Sequence, residues 1–174
     1  MKILVADDDE LFLKIVTEIL EEAGHEVVPA KTGPKALELV TSERPDLAIL
    51  DIILPGKSGT EVSERMRESS LTAPIPVLLV TSGSTEIEAE GSCVDCFLAD
   101  DFMRKPFSGE KLLEKVELLS RKPSKFASHA GKDKPLKPVY SSLPRSDPDE
   151  ITEDSIDPED LLKKTSSRND GERG

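Results

Sequence analysis

Residues 3–10 of the chain read ILVADDDE, an apolar run that stops at three consecutive aspartates. The run Ile3–Ala6 has the composition of a short buried strand. Carboxylates placed side by side repel one another and lose solvation at the edge of a core, so they favour a cation among them. Asp is also a good helix N-cap, and we assign that role to Asp9. Asp7 and Asp8 are left as candidates for holding a cation.

The composition changes along the 174 residues. Residues 121–174 contain only 11 apolar residues and six prolines. This is too little apolar area to offset the entropy lost on ordering, so we predict a globular domain over 1–120 and a disordered tail over 121–174. The charge of the tail is segregated: residues 121–145 carry seven basic and one acidic residue, and residues 146–174 carry four basic and ten acidic residues.

The globular part is acidic, with 12 basic and 24 acidic residues in positions 1–120. That balance predicts no direct binding to nucleic acid or to an anionic membrane. We find no apolar run near the length of a membrane span and no signal-peptide pattern, so we expect a cytoplasmic protein. Cys93 and Cys96 form a single C-x-x-C, without histidines at a spacing that would complete a zinc site. Incidental cysteines are favoured over a redox or metal role.

Short apolar runs alternate with helical stripes along the globular part. The predicted strands are residues 2–6, 27–30, 47–50, 77–80 and 102–104. The predicted helices are residues 10–22, 35–41, 60–68, part of 84–98, and a last helix carrying Leu112, Leu113, Val116 and Leu119. This order predicts parallel βαβ units in a doubly wound α/β domain. The working site of such a sheet lies at the carboxyl ends of its strands.

Polar side chains follow those strand ends. Asp7 and Asp8 follow the first strand, Asp51 the third, Thr81 the fourth and Lys105 the fifth. Hard carboxylate oxygens with room for water suit Mg²⁺. Beside such a cation, a phosphoryl group could be held by the ammonium and the hydroxyl, and Asp51 is suited to attack a phosphoryl donor. The pattern therefore predicts a magnesium-dependent phosphoryl acceptor.

Four motifs carry a family resemblance: ILVADDDE, LAILDIILPGKSG, VLLVTSG and DDFMRKPF. Together they resemble the successive motifs of two-component response regulator receiver domains over about residues 1–120. The resemblance implies a CheY-like sheet of five parallel strands flanked by five helices. It also implies a phosphorelay protein that accepts a phosphoryl group from a histidine kinase or a phosphotransfer protein and signals to an unknown downstream protein by contact.

The resemblance also assigns roles to single residues. It makes Asp51 the phosphoacceptor and Lys105 the phosphoryl-binding lysine. It implies that Asp8, Asp51 and the backbone carbonyl of Ile53 bind Mg²⁺ directly, whereas Asp7 helps through water.

The resemblance also implies a conformational switch, and at one segment the sequence departs from the family pattern. The resemblance implies that Thr81 and Phe102 form the switch pair and that the Lys105–Pro106 bond is cis, as proline permits. The segment before the fifth strand usually ends in a Gly-Ala pair, but here it reads CVDCFLADDF, with Leu98 where glycine would stand.

The sequence leaves three classes of function to compare. The favoured one is a stand-alone receiver without enzymatic activity beyond its own magnesium-dependent phosphorylation and dephosphorylation. The alternative is an adaptor that keeps the fold and works without phosphorylation. A haloacid-dehalogenase-type phosphatase also places D-x-D after its first strand, but Leu11 fits that pattern only loosely, and Asp51 and LPGKSG would be left unexplained.

Overall fold

The structure, a computed structural model, describes residues 1–82 and 98–129. Its centre is a sheet of five parallel strands in the order β2-β1-β3-β4-β5. The strands are β1 Lys2–Ala6, β2 Glu26–Ala30, β3 Leu47–Asp51, β4 Val77–Thr81 and β5 Asp101–Arg104. The order reverses between β1 and β3, so the carboxyl ends of these strands border the crevice where a doubly wound sheet binds its ligand.

Helices cover both faces of the sheet. The helices of the described residues are α1 Glu10–Glu22, α2 Gly33–Glu43, α3 Gly59–Glu68 and α4 Gly109–Ser120, followed by a short 3₁₀ turn at Ala127–His129. Leu4 and Ala6 of β1 face α2 and α3, whereas Ile3 and Val5 face α1 and α4. Because alternate side chains of a strand point to opposite faces, two buried apolar layers form, and most of the sheet reads as continuous apolar runs.

Local capping fixes where the helices begin. Asp9 is the N-cap of α1, and its carboxylate accepts hydrogen bonds from the backbone amides of Leu11 at 2.9 Å and Phe12 at 3.2 Å. Ser58 and Glu61 form a reciprocal capping box at the start of α3. Such caps satisfy amides that have no partner within the helix. The role predicted for Asp9 is confirmed.

The predicted doubly wound sheet of five parallel strands is confirmed, and each predicted strand agrees with the structure to within one residue at either end. The helix predicted within 84–98, together with Cys93 and Cys96, lies almost wholly outside the described residues, and so does the predicted tail from residue 130 onward. Among the residues that are described, no helix is long and apolar enough to cross a membrane.

A buried arginine organises the end of the sheet away from those carboxyl ends. Arg67 of α3 donates hydrogen bonds to the backbone oxygens of Leu98, Ala73 and Ile75, each at 2.8 Å, and pairs with Asp100 at 3.0 Å. Burial lowers the pKa of Arg67 to about 10, against the opposing effect of Asp100. The guanidinium stays charged at neutral pH, and its partners satisfy it inside the core.

The segment after α4 joins this network. Asp100 accepts hydrogen bonds from the Ser124 hydroxyl and from the backbone amide of Lys125, both at 2.9 Å. The ring of Phe126 is 7% exposed, and its centroid lies 5.1 Å from the guanidinium carbon of Arg67. These contacts lie beyond residue 120, where the sequence predicts the folded part to end. One phenylalanine in a polar, proline-containing stretch gives no periodic signal, so its docking was not predictable from pattern.

We predict that removing this segment destabilises the domain. A chain ending at residue 123 should unfold with about 3 kcal/mol less free energy than one ending at residue 129, because Phe126 loses its burial and Asp100 loses two donors. Urea unfolding followed by circular dichroism measures the difference. In the longer chain, Phe126→Ala should reproduce most of the loss and Lys122→Ala should not. Equal stability of the two truncated chains would show that the segment contributes nothing to the core.

Candidate functional site

The carboxyl ends of four strands bring the candidate residues to one edge of the sheet. Asp7 follows β1, Asp51 ends β3, Thr81 ends β4 and Lys105 follows β5. Two backbone hydrogen bonds extend the sheet to this edge: the Asp7 amide donates to the Ala30 carbonyl at 3.0 Å, and the Lys105 amide donates to the Thr81 carbonyl at 2.7 Å. Parallel pairing therefore holds these side chains in place through the main chain.

The Lys105 ammonium joins the two buried carboxylates of the site. It donates to Asp51 Oδ2 at 2.6 Å and to Asp7 Oδ2. The side chains of Asp7 and Asp51 are only 1% and 6% exposed, and that of Lys105 is 15% exposed. The second oxygen of each acid accepts a backbone amide: Asp51 Oδ1 from Ile53 at 2.8 Å and Asp7 Oδ1 from Asp9 at 3.0 Å. All four carboxylate oxygens therefore have a donor.

Burial and pairing act in opposite directions on the ionisation of these groups. Burial raises the pKa of Asp7 and outweighs the hydrogen bonds from Lys105 and from the Asp9 amide, which lower it. Burial alone would lower the pKa of Lys105, but the hydrogen bonds to Asp51 and Asp7 outweigh it, so that pKa is raised. Lys105 is therefore a firmly charged ammonium, whereas Asp7 is an acid held in a costly ionised state.

The other predicted metal ligands lie close by in the chain. Asp8 is exposed next to buried Asp7, and Ile53 is 64% exposed two residues after Asp51. Among the residues that the structure describes, no three acidic, histidine or cysteine side chains already surround a common point. Carboxylates and a carbonyl are nevertheless the hard donors that Mg²⁺ takes, with water filling the remaining positions. The donor set fits magnesium in chemistry, and Lys105 is the cation that lies between Asp7 and Asp51.

The predicted switch residues occupy neighbouring strands. Thr81 is buried at the end of β4, and Phe102 lies half-buried in β5, where its ring packs against the apolar layer beneath α2 and α3. In the sheet register Phe102 pairs with Leu79, two residues before Thr81. Phe102 therefore lies in the strand beside Thr81, part-way between the core and solvent.

Two backbone features flank β5, of which the cis bond after it was expected from the resemblance and the conformation of Leu98 before it was not. The Lys105–Pro106 peptide bond is cis. Leu98 has a φ of +52°, in the left-handed region that glycine adopts without steric cost. Its carbonyl accepts hydrogen bonds from Ser63 Oγ and Arg67 Nε, and its side chain is buried. A leucine therefore occupies a backbone conformation that favours glycine, and buried contacts hold it there.

Sequence reasoning missed two residues that support the site. A Cβ added to Gly59 would lie 2.1 Å from the carbonyl oxygen of Asp51, so this glycine allows α3 to begin directly against the acceptor strand. The predicted helix over residues 60–68 begins one residue later and gives Gly59 no role. The ring of Phe12 lies with its centroid 3.7 Å from the Lys105 ammonium. In the sequence, Phe12 is one apolar residue of the α1 stripe, and no pattern distinguishes it from core.

We predict that Asp7→Asn stabilises the metal-free domain at pH 7. Because the folded pKa of Asp7 lies above its unfolded value, ionising this acid costs stability as the pH rises through the folded pKa. The variant should melt a few degrees higher at pH 7 in EDTA, and the gain should disappear as the pH falls to about 4. Asp9→Asn, which keeps an N-cap, is the control. A lower melting temperature for Asp7→Asn at pH 7 would contradict the prediction.

Comparison with known proteins identifies the family of the domain. The family model for the response regulator receiver domain matches residues 3–117. The transcriptional regulatory protein YrkP of Bacillus subtilis is 42% identical over 116 residues, which are 66% of this chain and 47% of YrkP. The chain spans about half the length of the curated relatives it matches.

Solved structures agree on the fold. A CheY-like receiver domain protein of Methanospirillum hungatei matches with a TM-score of 0.62 and 31% identity, covering 69% of this chain and 93% of that one. The receiver domain of the sensor histidine kinase PA1611 of Pseudomonas aeruginosa, solved with a magnesium ion coordinated in its active-site cleft, matches with a TM-score of 0.63 and 20% identity. It covers 70% of this chain and 98% of its own. The chain belongs to the response regulator receiver domain family.

Proposed function

We propose that the protein is a phosphorelay receiver in which Asp51 accepts a phosphoryl group from the phosphohistidine of a histidine kinase or phosphotransfer protein. The observation that carries this proposal is the Lys105 ammonium, held between the buried carboxylates of Asp51 and Asp7 at the carboxyl edge of the sheet. A charged donor fixed in a partly desolvated site is suited to bind the oxygens of a transferred phosphoryl group.

The hydrogen bonds distinguish the two oxygens of the acceptor. Oδ1 of Asp51 is engaged by the Ile53 amide, and Oδ2 faces Lys105. Oδ2 attacks the phosphorus, a P–O bond forms, and the P–N bond of the phosphohistidine breaks with its electron pair left on the imidazole nitrogen. Lys105 then transfers its hydrogen bond from Oδ2 to a phosphoryl oxygen. The product is an acyl phosphate on a side chain that the backbone still orients.

The acidic edge supports a proposed requirement for a divalent cation. Asp7, Asp8, Asp51 and the Ile53 carbonyl would hold Mg²⁺, which supplies positive charge against the incoming phosphoryl oxygens when it is bound. Magnesium in the PA1611 receiver domain supports this part of the proposal. Asp8 is exposed and lies next to the Asp7–Lys105 pair, so it is the carboxylate that can turn toward a cation without losing an ion pair seen among the described residues.

The response to phosphorylation would pass through Thr81 and Phe102. The Thr81 hydroxyl donates to a phosphoryl oxygen and moves toward Asp51, which leaves space for the Phe102 ring to turn inward. Phe102 already lies half-buried in β5, beside the strand that carries Thr81. A charge-assisted hydrogen bond is strong enough to bias such a two-state equilibrium.

The chemistry proposed for this domain is limited to forming and hydrolysing its own acyl phosphate. Phosphorylation by small phosphodonors and self-dephosphorylation are its proposed reactions, and its output is contact with another protein rather than direct binding of nucleic acid by residues 1–120. An adaptor that works without phosphorylation is the alternative. It is disfavoured because a purely structural role would not require two buried acids to share one ammonium.

We expect acetyl phosphate and Mg²⁺ to label the wild-type chain with one phosphoryl group that is stable in acid and labile in base. Borohydride trapping and peptide mapping should locate it at Asp51, and Asp51→Asn should remove it. Asp46→Asn, which changes the acid just before the same strand, should label normally. EDTA or Asp8→Ala should lower the labelling rate at least tenfold while the fold persists. A labelled residue other than Asp51 would overturn the assignment.

We expect the switch to be separable from phosphoryl acceptance. Thr81→Ala should accept phosphate at a rate within about threefold of wild type but should respond weakly to it, since the hydroxyl makes its new hydrogen bond only after transfer. Amide NMR with beryllofluoride, which mimics the bound phosphoryl group, measures the response. Wild-type shifts should extend from Asp51 to β5 and α4, and those of Thr81→Ala should stay near Asp51. Shifts confined to Asp51 in the wild type would exclude the switch.

A further inference from the structure

An aromatic ring lies against the Lys105 ammonium. The ammonium of Lys105 donates to Asp51 and Asp7, and it lies 3.7 Å from the ring centroid of Phe12. A cation above the face of an aromatic ring is attracted by the negative charge of the π system, and the attraction grows when both groups are desolvated. The lysine side chain is only 15% exposed, so water contributes little to its solvation.

The position of Phe12 is itself fixed from two directions. Its backbone amide donates to the carboxylate of the N-cap Asp9 at 3.2 Å, so capping of the first turn of α1 fixes the backbone of Phe12. Its ring makes an edge-to-face contact with Phe107, with centroids 5.7 Å apart and an interplanar angle of 85°. Phe107 lies two residues after Lys105. The ring is therefore held by the third aspartate of the opening run and by the chain that carries the lysine.

If hydrogen bonds alone held the Lys105 side chain, it could move away from the two carboxylates. Its four-carbon stem has many rotamers, and an ammonium donates in any direction. Two of its three protons point to Asp51 and Asp7. When Asp51 takes a phosphoryl group, one of these bonds must move to a phosphoryl oxygen. The contact with the face of Phe12 involves no hydrogen bond to exchange, so it can persist when Asp51 is phosphorylated.

We propose that Phe12 is a positioning residue, whose ring face holds the Lys105 ammonium and thereby strengthens binding of a phosphoryl-like anion at Asp51. This inference deepens the proposed function and rests on it. Phe12 touches neither the acceptor oxygen nor the transferred group, and its effect passes through Lys105. A simpler role as apolar packing beneath α1 predicts that only the size of the side chain matters, which makes the two roles experimentally distinct.

The test varies the negative electrostatic potential of the ring face while the shape of the side chain stays nearly constant. Phe12 is replaced by 4-fluoro-, 3,5-difluoro- and 3,4,5-trifluorophenylalanine, because each fluorine withdraws electron density from the face. The dissociation constant for beryllofluoride is measured with Mg²⁺ by amide NMR, and thermal unfolding is measured in parallel. We expect the constant to rise stepwise with each fluorine, reaching about three- to tenfold for the trifluoro ring. Phe12→Leu should weaken binding at least as much, and Phe12→Tyr should leave it near wild type.

Two further measurements isolate the contact. In the ligand-free protein, the ¹⁵N signal of the Lys105 side chain should move progressively along the same fluorinated series, which reports the contact without any phosphorylation. The matched control is trifluorination of Phe126, whose ring lies against Arg67 at the other end of the sheet. It should change the unfolding temperature and leave the beryllofluoride constant unchanged.

The outcomes separate failure of this inference from failure of the proposed function. If the wild-type chain neither binds beryllofluoride nor is labelled at Asp51, the proposed function is wrong, and this inference fails with it. A wild type that binds and labels, together with fluorinated variants that bind equally well, overturns the inference alone. A loss in Phe12→Leu with a flat fluorinated series also overturns it, because packing would then account for the effect.

Discussion

The hydrogen bonds from the Lys105 ammonium to Asp51 and Asp7 are the constraint around which the edge of the sheet is arranged. Either acid, left buried without a cation, would carry an uncompensated charge in a poorly solvated place. The lysine pairs with both, although burial still outweighs its effect on the pKa of Asp7, and it ties the ends of β1, β3 and β5 to one point. Removing it would leave two neighbouring carboxylates to repel each other, so the contact that holds the fold here is also the one on which the proposed phosphoryl transfer depends.

The sequence predicted the parts of the molecule that short-range physics controls. Strands appeared as apolar runs because both faces of the sheet are covered, and Asp9 was predicted as a cap where α1 needs one. Asp7, Asp51 and Lys105 were identified because parallel strands deliver their carboxyl ends to one edge, so chain order alone implies that they meet. The assignment of these residues needed no knowledge of any distance.

What the sequence did not predict depends on partners distant along the chain. Arg67 stands in a charged stretch of α3 and resembles a solvated residue, yet its partners come from the loop before β4, the approach to β5 and the segment after α4. Phe12 resembles any apolar residue of an amphipathic helix until Lys105 is seen beneath its ring. Helical periodicity shows which face is buried, but it carries no information about which side chain lies opposite.

The network of Arg67 and Asp100 has a consequence for the route of the polypeptide. Asp100 precedes β5 and Lys105 follows it, so the length of that strand, roughly 16 Å over five residue steps, separates the place where Phe126 docks from the acidic edge. The last described element, the 3₁₀ turn Ala127–His129, accordingly lies against α3, near the amino ends of the strands. A protein that approached Asp51 would meet the carboxyl edge of the sheet, roughly one strand length away from Ser124 and Phe126.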